Sequence, residues 1–148
     1  MPDLDLMSGL IATYRELNHR VRTQPNERLA RASGGGQSVR ELVRQMRDRE
    51  LRFSQALKAR ITSGAALEQW SDEELPTLGL ETDQDTAAML IAQFGTARES
   101  TLAMLRDLPE SDWDAPLAGD KTIRTRVFEL LDADHRQMER ITGALAAG

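Results

Sequence analysis

Three side chains in "ELLDADHRQMER" (residues 129–140) have the types and spacing for metal binding or acid–base work. His135 is one of only two histidines in the chain; Asp132 stands three residues before it and Glu139 four after. On a helix these positions are neighbours on one face. An imidazole with two carboxylates would make a mixed nitrogen and oxygen ligand set for a divalent metal. The competing reading is a hydrated helix edge held by i,i+3 and i,i+4 pairing. It is the stronger of the two, because the trio lies toward the border of the apolar stripe. His19 lies off the stripe of its own segment and reads as surface.

Other chemistry is quickly bounded. There is no cysteine, which excludes disulfides, thiolate catalysis and Cys-ligated metals. The serines lack a nucleophile-elbow motif and a clear histidine partner. Gly34 to Gly36 precede a helix start, but without a preceding strand or a Gly-Lys-Ser/Thr they read as an interhelix turn, not a phosphate loop. Arg40, Arg44, Arg47 and Lys58 share one side of a helical segment. Glu41 and Asp48 border them and no aromatic interleaves, so a mixed charged face is expected rather than a nucleic-acid stripe. Leu51 within that side is an isolated leucine or a dimer contact. Three charges interrupt apolar stripes: Glu50 among Val43, Met46, Phe53 and Leu57; Arg98 among Ile91, Phe94, Leu102 and Leu105; Asp134 among Leu130, Leu131, Met138 and Ile141. Buried charges persist only when paired. The three are therefore expected to form one buried polar cluster, either a structural ion cluster that fixes helix register or the polar floor of a pocket.

Four amphipathic segments must position these residues. Met7, Leu10, Ile11, Tyr14, Leu17 and Val21 recur at three- and four-residue steps and predict a helix over 5–23, ended or bent at Pro25 and Asn26. Ser38 and Glu41 have capping-box spacing and open a second helix, whose stripe runs through Val39, Leu42, Val43, Met46, Phe53, Leu57 and Ile61 until Gly64. Residues 65–82 are a long connection, in which "SDEE" (71–74) caps at most one turn before Pro76 and Gly79. A third helix spans about 84–107 and stops at Pro109, and "PESDWDAPLAGD" follows as a turn-rich link. A fourth spans about 122–146, with Val127, Phe128, Leu130, Leu131, Met138, Ile141 and Leu145 on its stripe. No segment alternates with period two, so no real sheet is expected. The architecture that follows is an all-α four-helix bundle.

At 148 residues the chain fits one domain, 1–148, with one sizeable core. Aromatics are only 4% of it, which favours helices over strands. A net charge of −5 argues against nucleic acid as a partner. The longest apolar run, "AAMLIA" (87–92), is far below the ~18 residues of a membrane span, so no membrane role is expected. The acidic start "MPDLDLMSGL" lacks the basic opening of a signal peptide, which makes the cytoplasm the expected location.

Three stretches carry a resemblance. "GGGQSVRELVRQMRDRE" (34–50) resembles the second-helix signature of the DinB-like family. "DQDTAAMLIAQFGTARESTLAMLRDLPESDWD" (83–114) is similar to its third helix and the Leu-Pro-x-x-Asp-Trp link, and "KTIRTRVFELLDADHRQMERI" (121–141) to its last helix. The resemblance implies an up-down-down-up four-helix bundle. In many members it also implies a divalent metal held by three histidines, one from the second helix and two, four residues apart, from the last. Some members are transferases or isomerases that use a low-molecular-weight thiol. The ligand positions fall here on Gln45, Ala133 and Gln137, and the usual tryptophan before Ser38 is Gln37. All three imidazoles are missing, and two histidines cannot supply three. His135 lies two residues from each of the last-helix positions, nearly the opposite direction on a helix. The expected function is a metal-free, cofactor-free relative that binds a small molecule or a partner protein, with a homodimer left open. The alternative is a thiol- or metal-dependent transferase or hydrolase with Asp132, His135 and Glu139 as unusual ligands.

Overall fold

A computed structural model describes residues 4–32, 36–67 and 85–147. The turn expected at 71–74, Pro76, Gly79, and two of the three loop glycines, Gly34 and Gly35, lie outside the described residues. The chain is predominantly helical. Four long helices carry it: α1 (Leu4–Val21), α3 (Val39–Ser63), α4 (Ala87–Asp107) and α6 (Ile123–Ala147), with short helices α2 (Asn26–Ala30) and α5 (Glu110–Trp113) between them. The long helices match the four amphipathic segments to within a few residues at each end.

Their limits have local causes. Ser38 caps α3 by accepting the Glu41 amide at 3.1 Å, and Gly64 ends it in the left-handed region at φ 72°, where a side chain is strained. Thr86 caps α4 through the Met89 amide at 3.2 Å. Thr122 receives the Thr125 amide at 3.1 Å at the start of α6. Pro25 does not bend α1. It is the N-cap of α2, whose Leu29 is buried.

The turn-rich link is more ordered than its composition implied. Trp113 of α5 is fully buried. Against the expectation of no sheet, β1 (Pro116–Ala118) and β2 (Lys121–Thr122) form a small antiparallel hairpin, turned at Gly119 with φ 63°. The Leu67 amide donates to the Leu117 carbonyl at 2.9 Å, and Arg60 Nε to the Pro116 carbonyl at 2.8 Å, so the end of α3 is tied to the hairpin. Strands this short leave no period-two signature.

α3 packs on α4 and α6, and α1 on α4 and α6. The apolar core divides in two. One cluster holds Leu17 and Val21 of α1, Val39 to Met46 positions of α3, Leu90 to Phe94 positions of α4, and Met138 and Ile141 of α6. The other holds Met7 and Leu10, Phe53 and Leu57, Leu102 and Leu105, and Ile123 to Leu130 positions of the same helices. Thus α3 and α4 both pass from the first cluster to the second, while α1 and α6 pass from the second to the first. Two members of the predicted stripes are outside the core: Phe128 is 60% exposed and Ile61 44%. Each stands at the edge of its stripe, where spacing alone does not separate a buried position from an exposed one.

Candidate functional site

Between the two apolar clusters lies a polar layer. It is made of the one charged residue that interrupts the stripe of each of three helices: Glu50 of α3, Arg98 of α4 and Asp134 of α6. The structure brings them together, each about 1% exposed. Arg98 Nη2 donates to Glu50 Oε1 at 2.7 Å and to Asp134 Oδ2 at 2.5 Å. Its Nη1 donates to the Leu10 carbonyl at 2.8 Å, which brings in α1. The guanidinium also lies 4.8 Å from the Phe94 ring centroid. Burial works against the charge on Arg98, yet Glu50 and Asp134 hold it more firmly protonated than an ordinary arginine. Burial pushes the Asp134 carboxyl above the usual carboxylate range, and Glu50 adds to this; Arg98 and Arg49 pull the other way. The layer is a set of buried ion pairs that joins α3, α4 and α6 to the main chain of α1, and none of its three charged residues lines the groove at the α3–α4 seam.

The positions that the resemblance makes metal ligands are next to one another. Gln137 is buried, and its Nε2 donates to the Gln45 side-chain oxygen and to the Leu42 carbonyl, both at 2.9 Å. Arg140 Nη1 donates to Gln137 Oε1 at 3.0 Å. Ala133, one turn before Gln137, is half-buried. These side chains do not fit a nickel or zinc centre. Two carboxamides and a methyl offer no imidazole, and the amide of Gln137 is already spent on protein acceptors. The trio Asp132, His135 and Glu139 is exposed throughout, and Asp132 pairs with Arg136 at 3.1 Å. Among the described residues no group of three His, Cys, Asp or Glu side chains could hold a metal ion. His19 is exposed.

The arginine-rich side of α3, expected as a mixed charged face, pairs its charges but is largely buried near its middle. Lys58 is exposed and Arg40 half-buried, but Arg44 is buried and Arg47 is 0% exposed. Arg47 donates from Nε and Nη2 to Asp48 Oδ1 at 3.0 and 2.8 Å, and from Nη1 to Gln93 Oε1 at 2.8 Å. The pairing of Arg47 with its own neighbour and with an amide on α4 has no signature in helical spacing, and only the adjacent opposite charges hinted at it. Above Arg47 the α3–α4 seam opens into a groove of about 490 Å³. Leu51 and Ser54 of α3 and Ala92, Gln93, Thr96 and Ser100 of α4 form its walls. Leu51 is therefore half-buried groove wall rather than an isolated exposed leucine.

No helix among the described residues is long and apolar enough to cross a membrane. Compared with family models, with curated proteins and with solved structures, the chain has no match.

Proposed function

We propose that this chain is a metal-independent binding protein of the cytoplasm, built as an up-down-down-up four-helix bundle of the DinB-like kind. The opposite order in which α1 and α6, against α3 and α4, traverse the two apolar clusters supports that topology. The observation that carries the functional reading is the hydrogen bond between Gln45 and Gln137, the two side chains at the family's ligand positions that satisfy each other. Chemistry that needs an imidazole-bound metal has no donors there, and binding is the role left for the fold. A small molecule is the better candidate for the occupant. The α3–α4 groove has the volume of a small-molecule site, mostly apolar walls, and a few hydroxyls and an amide to orient a guest.

The test has two arms. Melting of the protein with micromolar Zn²⁺ or Ni²⁺ is expected to be unchanged, whereas a metal held at 100 times its dissociation constant would add about 2.7 kcal/mol. A large rise that disappears in His135→Ala would overturn the metal-free reading in favour of a metalloenzyme with non-standard ligands. In the second arm, the amphipathic dye 8-anilinonaphthalene-1-sulfonate is titrated onto the native protein. One saturable site, lost in Thr96→Trp, is expected. No native-state binding would remove the small-molecule reading and leave a protein partner.

A further inference from the structure

We propose that the α3–α4 groove takes a small amphipathic monocarboxylic acid, its carboxylate docked on the Arg47 guanidinium and displacing the Gln93 side chain. This names the guest of the small-molecule site described above and rests on that reading. Among the described residues that line the groove, Arg47 is the only charged one, and its counter-ion Asp48 is not among them. A guanidinium has five N–H donors. Arg47 spends its Nε and one Nη2 donor on a single oxygen, Asp48 Oδ1, and one Nη1 donor on Gln93 Oε1. One N–H on each terminal nitrogen is left without an acceptor among the described residues, in a side chain that solvent does not reach. Buried donors are nearly always satisfied, so this pair of donors marks a place for an acceptor. A carboxylate has two oxygens and can take both.

Gln93 stands between that place and the groove. It lines the groove too and is exposed, so its bond to Arg47 runs from the open side to the floor. Turning it outward loses one bond to a neutral amide oxygen. A carboxylate replaces that bond with a charge-assisted, two-point contact, which is the stronger kind. The field agrees in sign. α3 carries seven basic and three acidic residues, and the α4 wall of the groove has no charge, so an anion is favoured there although the whole chain is acidic. A guanidinium already shared with Asp48 matches a single negative charge rather than a polyanion.

The walls give the size of the guest. At the other end of the groove Ser54 Oγ and Ser100 Oγ meet at 3.4 Å. This pair and the Arg47–Gln93 pair share the same 46-residue offset between α3 and α4, as parallel helices in register require. On each helix the two ends are two turns apart, about 10 Å of helical rise. Leu51 lies between them on α3 and Thr96 on α4. The guest therefore has a carboxylate at Arg47, an apolar body against Leu51, and a tail that reaches no further than the two serine hydroxyls.

The probe is 4-phenylbutyrate, compared by calorimetry on the native protein with its neutral isostere 4-phenylbutanamide. The acid is expected to bind about tenfold more tightly than the amide, and Thr96→Trp, which fills the groove, to abolish its binding. Gln93→Glu supplies the guanidinium with a carboxylate from α4 itself and should erase the preference for the acid. Gln93→Ala removes the competing oxygen and should widen it. Gln93 is exposed, so both variants keep the fold. Equal affinity for acid and amide, or a preference that survives Gln93→Glu, would overturn the proposal. Binding of 8-anilinonaphthalene-1-sulfonate without either phenyl probe would also overturn it while leaving the small-molecule reading in place; no binding of the dye either would remove both.

Discussion

Arg98 is the side chain on which the buried polar layer depends. Its two terminal nitrogens serve Glu50, Asp134 and the Leu10 carbonyl, on three different helices. Replacing it alone strands two acids in the core. Arg98→Met should therefore cost roughly 3–5 kcal/mol in denaturant unfolding at neutral pH. Exchanging Glu50, Arg98 and Asp134 together for apolar residues of similar size should recover most of that loss. A nearly neutral Arg98→Met would mean the pairs contribute no more than exposed ones, ~0–1 kcal/mol. A second residue-scale expectation concerns Gln45, Ala133 and Gln137. Gln45 and Gln137 already touch, and Ala133 lies one turn from Gln137. Placing histidine at all three positions should give three imidazoles around one point and tight zinc binding by calorimetry. An intact fold with no zinc binding would show that the register of the resemblance is wrong. At this scale the sequence was informative where a charge broke an apolar stripe, because burial then demands a partner. It was silent where charge lay among charge. Arg47 and Asp48 sit on the mixed charged face of α3, and spacing gave no sign that the guanidinium is buried against its own neighbour and Gln93.

Among the elements, α6 and α4 each contain a glycine whose cost differs in kind. Gly143 lies in α6 with nothing within 4 Å of where a Cβ would stand. Gly143→Ala should gain roughly 0.5–1 kcal/mol from backbone propensity alone. Gly95 in α4 is where α1 rests: an added Cβ would lie 2.6 Å from the Tyr14 ring, which is itself packed on Phe94 at 6.0 Å between centroids. Gly95→Ala should lose about 1–3 kcal/mol to overpacking, only partly offset by the same propensity gain of about 1 kcal/mol. Thermal melts of the two variants side by side test both; equal shifts would mean α1 does not bear on α4 there. The four long helices were legible because each has a stripe several turns long and a strong cap or stop, as at Ser38 and Gly64. The hairpin at 116–122 and the five-residue α2 were not. The hairpin is held by the bonds from Leu67 and the Arg60 side chain and by buried Leu117 and Ala118, α2 by buried Leu29, and no periodic pattern announces either.

At the scale of the whole molecule the core is two apolar clusters with an ionic seam between them, and every long helix crosses the seam once. Such a layer adds little net stability over apolar packing but penalises every misplaced register, since a helix shifted by one turn would leave charges unpaired among leucines. One bond in that seam reaches further than the others. Arg98 Nη1 is satisfied by the main chain of α1, at Leu10, not by a side chain. Outer helices of small proteins commonly loosen on their own and let solvent reach their amides without global opening. Here α1 cannot lift away without breaking the bond from Arg98 and opening the seam to water, which weakens the ion pairs inside it. In deuterium exchange, the α1 amides around Leu10 and Tyr14 should then show an opening free energy equal to that of complete unfolding. Exchange of those amides through a cheaper local opening would mean the bond to Leu10 is incidental. If the two energies agree, no partly unfolded form lacking only α1 is populated, and the first helix belongs to the same cooperative unit as the last.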